Sequence, residues 1–527
     1  MTLIRKLRSK EAERGQALVL VAAAFVGIAA FVGLTVDAGI LFINVGHLRR
    51  ATDAASLAAA NQFREGRTPS ELSAMAFELL ELNGLSPSGV VATVCDLASP
   101  GSGFDDPSLC PGGTNPPTGS ESPRKVVRVE SELPVYFAFL PIIGWQSTVI
   151  RANSISEAAS VDLVLVMDVS PSMAYDLCTD GLDNENDGAG DGVIDDCYVT
   201  GTGDGTDGKS ESDVAFCRAA TLDAHKCHPF EEVRDAATAL VNRMYFPYDR
   251  ISIVTFGRKP FVSLELQDTD PPAPCGVAPD PKACALSVLN ALEVELEPVT
   301  AVDCPGWSPD PSGCTSTNSG DGLRHAGGRF CLDDVIVNGL CDRPEMREEA
   351  VWIVILVSDG VANAGLAAAG PPEVWICPSS THAPPAGTGP PYCTDGDPSV
   401  RRAAGDPDYD ADDYGRDMAD FVGCPGPSLP QPAACSTTAP GGQGAVIFSI
   451  GLGEAVINYT KGGDVDQGEK FLRYVAAVGD DSDPASDPCA TAGVGVSCGN
   501  YYFSPTGSGL LRVFEAIASR IFTRITH

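Results

Sequence analysis

The sequence predicts an α/β protein built on a doubly wound, mostly parallel sheet between layers of helix, and three stretches carry that prediction. Residues 161–168 (VDLVLVMD), 352–359 (WIVILVSD) and 445–452 (AVIFSIGL) are short apolar runs rich in β-branched residues. A run without polar alternation is the pattern of a strand buried on both faces, as when helices cover both sides of a parallel sheet. Helical periodicity follows or intervenes at 230–245, 282–296 and 469–478, and residues 250–256 and 261–266 read as two more strands. Residues 501–521 read as a last strand, a short loop and a closing helix.

Two of these strands end on an acid. Asp168 is followed at once by Ser170 and Ser172, and Asp359 closes the later strand. In open α/β sheets ligands bind outside the carboxyl ends of the strands, and oxygens grouped there suit a hard divalent cation. A third element, 316–323 (STNSGDGL), offers Thr317. The D-x-S-x-S segment, the threonine loop and the later aspartate, in that order, resemble the metal-ion-dependent adhesion site (MIDAS) of von Willebrand factor type A (VWA) domains. One D-x-S-x-S is common by chance; the ordered set is not. The resemblance implies a Rossmann-like VWA domain in which Ser170, Ser172 and Thr317 bind the metal directly, with Asp168 and Asp359 close by or acting through water. A partner's carboxylate would complete the coordination. Magnesium is favoured over manganese or calcium, because the charged ligands are few.

At 527 residues the chain is long enough for two or three domains. Its formal net charge of −35 argues against nucleic acid or anionic lipid as a partner for its bulk, and makes divalent cations the natural counterions. The 18 cysteines include no C-x-x-C spacing, which speaks against zinc ribbons and redox motifs and for disulfides in an oxidising compartment. Pairing neighbours in chain order uses all of them: Cys95 with Cys110, Cys178 with Cys197, Cys217 with Cys227, Cys275 with Cys284, Cys304 with Cys314, Cys331 with Cys341, Cys377 with Cys393, Cys424 with Cys435, and Cys489 with Cys498. The gap from Cys314 to Cys331 is the one place where another pairing competes.

The amino terminus is basic (Arg5, Lys6, Arg8, Lys10 and Arg14), and residues 17–36 then carry no charge. That run is long enough to cross a bilayer as a helix, and longer than the core of a secretory signal. The expectation is an uncleaved single-pass anchor in the cell membrane, with a cytoplasmic tail (1–16), a span (17–42) and everything beyond it extracytoplasmic. The small residues at 57–60 lie too far from the apolar core to serve as its cleavage site. Residues 14–60, with Arg14 and Gly15, then Val36, Asp37 and Gly39, then DAASLAAA at 53–60, resemble the amino-terminal segment of TadG-type Tad (tight adherence) pilus-assembly proteins. A pilin-like subunit would carry Glu five places after the glycine, where this chain has Leu20, so cleavage and polymerisation as a pilin are not expected.

Residues 43–159 read as a small α+β juxtamembrane module. It comprises a short amphipathic helix (69–84), a Gly- and Pro-rich loop closed by one disulfide (95–123), and strands within 125–158. The apolar segment 136–145 between those strands reads as a core contact in preference to a membrane contact. The VWA-like domain is expected over 160–527, with disulfide-rich acidic insertions at about 175–229 and 371–442.

In the first insertion Asp183, Glu185, Asp187, Asp191 and Asp195 alternate with Gly and Asn between Cys178 and Cys197, a spacing that turns several oxygens onto one calcium ion. It resembles the calcium loops of thrombospondin type 3 and EF-hand-like repeats, but the twelfth position, Ile194, lacks their bidentate Glu. A solvated acidic loop is the other reading. The cluster at 406–413 reads as a solvated loop. His225, Cys227 and His228 lie close together, but Cys227 has a disulfide partner in Cys217. No G-x-S-x-G, H-E-x-x-H or phosphate-binding G-K-[ST] motif is present. The chain is therefore expected to be not an enzyme but a protein that binds a protein ligand, or pilus-assembly components, through a metal in adhesion or Tad/Flp pilus assembly. The alternatives are a structural subunit or tip of a surface appendage with a structural metal, and a metal-assisted hydrolase, for which no base near Asp168 is found.

Overall fold

The computed structural model describes residues 2–64, 66–116, 124–174, 229–257, 259–266, 280–294, 317–330, 347, 350–365, 411–425, 435, 442–453, 455–458, 467–482, 487–505 and 507–524. The chain divides into two compact units, Met1–Ala158 and Ala159–His527.

The first unit is built on one continuous helix, α1 (Thr2–Arg64). Its apolar part is long and apolar enough to cross a membrane, and Leu18, Phe25 and Phe31 are exposed there. Further along the helix changes character. Leu48, Ala51, Thr52, Ala55, Ser56, Ala59, Ala60 and Phe63 recur at helical spacing and are buried. The small size of Ala51, Thr52, Ala55, Ser56, Ala59 and Ala60 lets α1 lie against an antiparallel sheet of order β1 (Gly89–Val94), β2 (Lys125–Tyr136), β3 (Ser147–Ala158). The polar members of the stripe are satisfied there: Thr52 Oγ1 lies 2.6 Å from Ser131 Oγ, and Ser56 Oγ 2.7 Å from Ser156 Oγ. Helix α2 (Pro69–Leu82) begins on a capping box, in which the Thr68 N–H donates to Glu71 Oε2 at 2.8 Å and the Glu71 N–H to Thr68 Oγ1 at 3.4 Å.

Two features of this unit depart from the sequence reading. Strand β1 was not expected; it is a short edge strand whose pairing with β2 cannot be read from six residues. The apolar segment 136–145 is not core. Tyr136 is 72% exposed, Ile142 84% and Ile143 77%, because the segment is the tip of the β2–β3 hairpin and lies beyond the sheet that would cover it.

The second unit is a six-stranded sheet of order β6 (Pro260–Leu264), β5 (Arg250–Phe256), β4 (Val161–Asp168), β7 (Val351–Ser358), β8 (Val446–Leu452), β9 (Tyr501–Ser504). All pairs are parallel except the edge pair β5–β6. Alternate residues of β4 feed two cores. Leu163, Leu165 and Met167 pack with α3 (Phe230–Arg243), α4 (Pro281–Asn290) and α9 (Gly507–Arg524). Val164 and Val166 pack with α5 (Ser319–Gly327), α6 (Ala411–Gly423) and α8 (Gln467–Asp481), the last preceded by the single turn α7 (Ala455–Asn458). The expected α/β layering with a mostly parallel sheet is thus present.

Helix α4 ends at Asn290, short of the expected 296, and starts one residue early on its cap, where Asp280 Oδ1 accepts the Lys282 N–H at 2.9 Å. The acidic cluster 406–413 is not simply a solvated loop: Asp412 and Asp413, the part of it in the described residues, are buried in the first turn of α6, where Arg416 one turn on pairs with both. At the amino-terminal end of β4 the buried Asp162 faces Arg250, with Nη2 to Oδ2 at 2.5 Å, and Arg347.

Three expected disulfides are formed, Cys95–Cys110, Cys424–Cys435 and Cys489–Cys498. Cys284 is also disulfide-bonded, and its expected partner Cys275 lies outside the described residues. The remaining pairs, Cys178 with Cys197, Cys217 with Cys227, Cys304 with Cys314, Cys331 with Cys341 and Cys377 with Cys393, lie outside them too.

Candidate metal site

Numbered within the second unit, the sheet order is 3-2-1-4-5-6, so the connection direction reverses between β4 and β7. Helices leave opposite faces of the sheet on either side of that point, opening a crevice at the carboxyl ends of the two strands. Asp168 is the last residue of β4, and Asp359 immediately follows β7.

Backbone bonds set the walls of the crevice. The Val169 N–H donates to the Phe256 carbonyl at 2.8 Å, which carries the turn after β4 toward β5, and the Asn318 N–H donates to the Gly257 carbonyl at 2.9 Å. Thr317 is thereby brought to the same end of the sheet, directly before the cap of α5. Asn318 caps that helix through the Asp321 N–H at 3.1 Å. Gly322 explains part of the S-G-D-G pattern: a Cβ there would lie 2.9 Å from the Phe256 ring and 3.1 Å from Val166, so glycine is what lets α5 sit against the sheet.

The four side chains Thr317, Ser170, Ser172 and Asp359 form one continuous contact path. Thr317 Oγ1 lies 3.5 Å from Ser170 Oγ, Ser170 Oγ lies 2.9 Å from Ser172 Oγ, and Ser172 Oγ donates to Asp359 Oδ1 at 3.0 Å. Asp168 stands behind this path: its Oδ1 accepts the Ser170 N–H at 2.9 Å, and its Oδ2 accepts the Ser358 hydroxyl at 2.7 Å. Asp168, Ser170, Thr317 and Asp359 are all buried, and Ser172 is half-buried. Burial, and after it the neighbouring Asp168 charge, push the Asp359 carboxyl well above the usual carboxylate range. Among the described residues no cationic side chain pairs with Asp359.

All five residues singled out in the sequence therefore meet at one place. The donor set is two carboxylates and three hydroxyls with no nitrogen or sulfur, which fits a hard cation such as Mg²⁺ better than a soft one. Two supporting residues went unrecognised in the sequence. Ser358, the hydroxyl in the otherwise apolar run WIVILVSD, holds the outer oxygen of Asp168. Asn363 clamps Thr317 from both sides, accepting its N–H on Oδ1 at 2.6 Å and donating its own N–H to the Thr317 carbonyl at 3.0 Å. The possible calcium ligands Asp183, Glu185, Asp187, Asp191 and Asp195, and the trio His225, Cys227 and His228, lie outside the described residues.

No family model matches the chain, and no curated protein matches it. Among solved structures it is similar to proximal thread matrix protein 1 of the mussel byssus, at 10% identity and a TM-score of 0.29, covering 68% of this chain and 48% of that one. It is similar to the von Willebrand factor domain of the type V pili tip protein Mfa5 from Porphyromonas gingivalis, at 13% identity and a TM-score of 0.30, over 70% of this chain and 97% of that one. It is also similar to the PilB minor pilin from Streptococcus sanguinis, at 11% identity and a TM-score of 0.32, over 76% of each chain. The chain thus spans about half the length of the mussel protein. At these scores the likenesses establish no family membership.

Proposed function

We propose that this chain is a membrane-anchored, metal-dependent binding protein of the cell surface, acting in adhesion or in assembly of a Tad-type pilus. The observation that carries the reading is the contact path from Thr317 through Ser170 and Ser172 to Asp359 at the switch point of the sheet. Ser170, Ser172 and Thr317 would hold Mg²⁺, with Mn²⁺ or Ca²⁺ as substitutes, and Asp168 and Asp359 would supply the compensating negative charge. A bound cation offers an electrophilic position to a carboxylate of a protein partner. The acidic chain disfavours nucleic acid. The 178–197 insertion is proposed as a separate calcium loop, and α1 as a single span with the amino terminus in the cytoplasm.

The test is Asp168→Ala. The apolar residues of β4 remain, so the fold should survive, while Mg²⁺ affinity measured by calorimetry should fall by at least 100-fold, on the scale of about 3 kcal/mol for a lost buried charge. Adhesion to partner cells or pilus components should be lost in the same variant, and EDTA should reproduce the loss in the wild type. A folded Asp168→Ala protein that binds metal and partners normally overturns the assignment. A purely structural metal is the second reading, favoured by the burial of Asp168, Ser170, Thr317 and Asp359. It is selected if EDTA lowers the melting temperature and leaves partner binding unchanged.

A further inference from the structure

The tip of the β2–β3 hairpin carries a surface that the metal site does not use. Residues 136–146 read YFAFLPIIGWQ and contain no charge. Tyr136, Phe139, Ile142, Ile143 and Trp145 are all exposed, at 72%, 45%, 84%, 77% and 56%. A contiguous apolar patch of this kind is costly in water and marks a surface that something covers.

Its position says what covers it. The turn is fastened to α1 by Asp37, a buried carboxylate that accepts three consecutive backbone N–H groups: Ala138 at 2.6 Å to Oδ1, Phe139 at 3.0 Å to Oδ2, and Leu140 at 2.7 Å to Oδ2. One helical turn earlier, Gly33 gives the same turn room. A Cβ on Gly33 would lie 3.0 Å from the Phe139 Cβ. Gly33 and Asp37 mark the end of the uncharged run 17–36, whose 20 or so residues make about 30 Å of helix, the thickness of a bilayer's hydrocarbon core. With α1 read as a span, the exposed apolar tip would lie beside the helix near the depth where hydrocarbon gives way to headgroups. The Asp37 bonds also satisfy N–H groups that are expensive to leave open at that depth. Trp145, packed edge-on against Phe137 with ring centroids 5.6 Å apart, is the residue type favoured at that boundary.

We propose that the 137–145 turn is a membrane foot, inserted into the interfacial zone of the same bilayer that α1 crosses, with Asp37 as the latch that sets its depth. The proposal rests on the reading of α1 as a span. It accounts for the aspartate of the V-D-x-G segment, which is a receptor for the turn and not a membrane-facing charge.

The experiment uses the full chain in phosphatidylcholine vesicles whose acyl chains carry bromine at a shallow or a deep carbon, comparing the wild type with Trp145→Phe and Asp37→Asn. Subtracting the Trp145→Phe emission isolates Trp145 from the other three tryptophans. Shallow bromine should remove at least half of the Trp145 emission and deep bromine much less, while Asp37→Asn should reduce the shallow quenching at least twofold. Flotation of the vesicles after an alkaline wash reports separately on α1. A chain that floats but whose Trp145 is untouched by bromine at either depth overturns the foot and leaves the turn for a protein partner. A chain that is stripped by the wash overturns the span and the foot together. Unchanged quenching in Asp37→Asn overturns the latch.

Discussion

Ser172 Oγ donates to Asp359 Oδ1 at 3.0 Å although 187 positions separate the two residues in the chain. The bond exists because β4 and β7 are adjacent and parallel, with Val161 opposite Val351 and Met167 opposite Val357, so their carboxyl ends emerge side by side. Strands so far apart in sequence meet because the chain first builds β5 and β6 on one side of β4 and then crosses to the other. The crossing leaves the crevice in which both acids stand.

Asp359 should make the metal-free protein sensitive to pH. Its carboxyl is raised above 3.8 by burial and by Asp168, so the folded chain holds that proton more tightly than the unfolded chain does. Stability is then highest below the ordinary carboxylate value and falls as pH rises toward the raised one, levelling off beyond it. Thermal melts in EDTA from about pH 4 to about pH 8 should show this fall in the wild type and a flatter profile in Asp359→Asn. Added Mg²⁺ should stabilise the wild type increasingly over the same range, because the ion competes with the proton. Identical profiles for the two proteins would remove Asp359 as the source.

Ser358→Ala tests a residue the motif does not include. Losing the hydroxyl deprives the buried Asp168 Oδ2 of its 2.7 Å donor. Stability should drop by about 1–3 kcal/mol, and metal affinity by about 10- to 100-fold, the usual cost of removing a hydrogen bond that orients a group in a metal site. Calorimetric titration beside a urea melt separates the two effects. A loss of stability with unchanged affinity would show that Ser358 serves the strand and not the site.

Asp162→Ala should do the reverse. Asp162 faces Arg250, which is 4% exposed on its side chain, and Arg347, and removing it leaves buried positive charge without that carboxylate. The expected cost is about 3–5 kcal/mol in a denaturant melt. Metal affinity should be unchanged, because six residues of strand, about 20 Å, separate position 162 from Asp168.

Cysteines should pair with their neighbours throughout. Each ring constrains the unfolded chain by about 3 kcal/mol in the entropy model. Cys304 with Cys314 and Cys331 with Cys341 would flank the Thr317 segment on both sides. Non-reducing peptide mapping that joins Cys314 to Cys331 contradicts the pattern.

The 178–197 insertion should bind calcium on its own. An oxidised peptide covering it is expected to titrate with micromolar to millimolar affinity. Absence of heat or spectral change at millimolar calcium leaves only the acidic-loop reading.

The sequence by itself determined the parts whose physics is local. An apolar run ending on Asp168, another ending on Asp359, and Thr317 ahead of S-G-D-G are legible because strand burial and helix starts are written in a few adjacent residues. Their order along the chain then sufficed to nominate the set Asp168, Ser170, Ser172, Thr317 and Asp359. The tertiary structure alone decided which groups support that set. Ser358 holds Asp168, and Asn363 clamps Thr317, because strand register and the approach of a distant turn aim those side chains, and register depends on partners more than a hundred residues away. The same holds for burial. Asp412 and Asp413 look like solvated acids in sequence and are enclosed by packing around α6, whereas the apolar 136–145 segment looks like core and stands clear of it at a hairpin tip. Hydrophobicity sets what a residue prefers to touch, but only the assembled chain decides what is within reach, and for Asp37 that was the backbone of a turn 101 to 103 positions away.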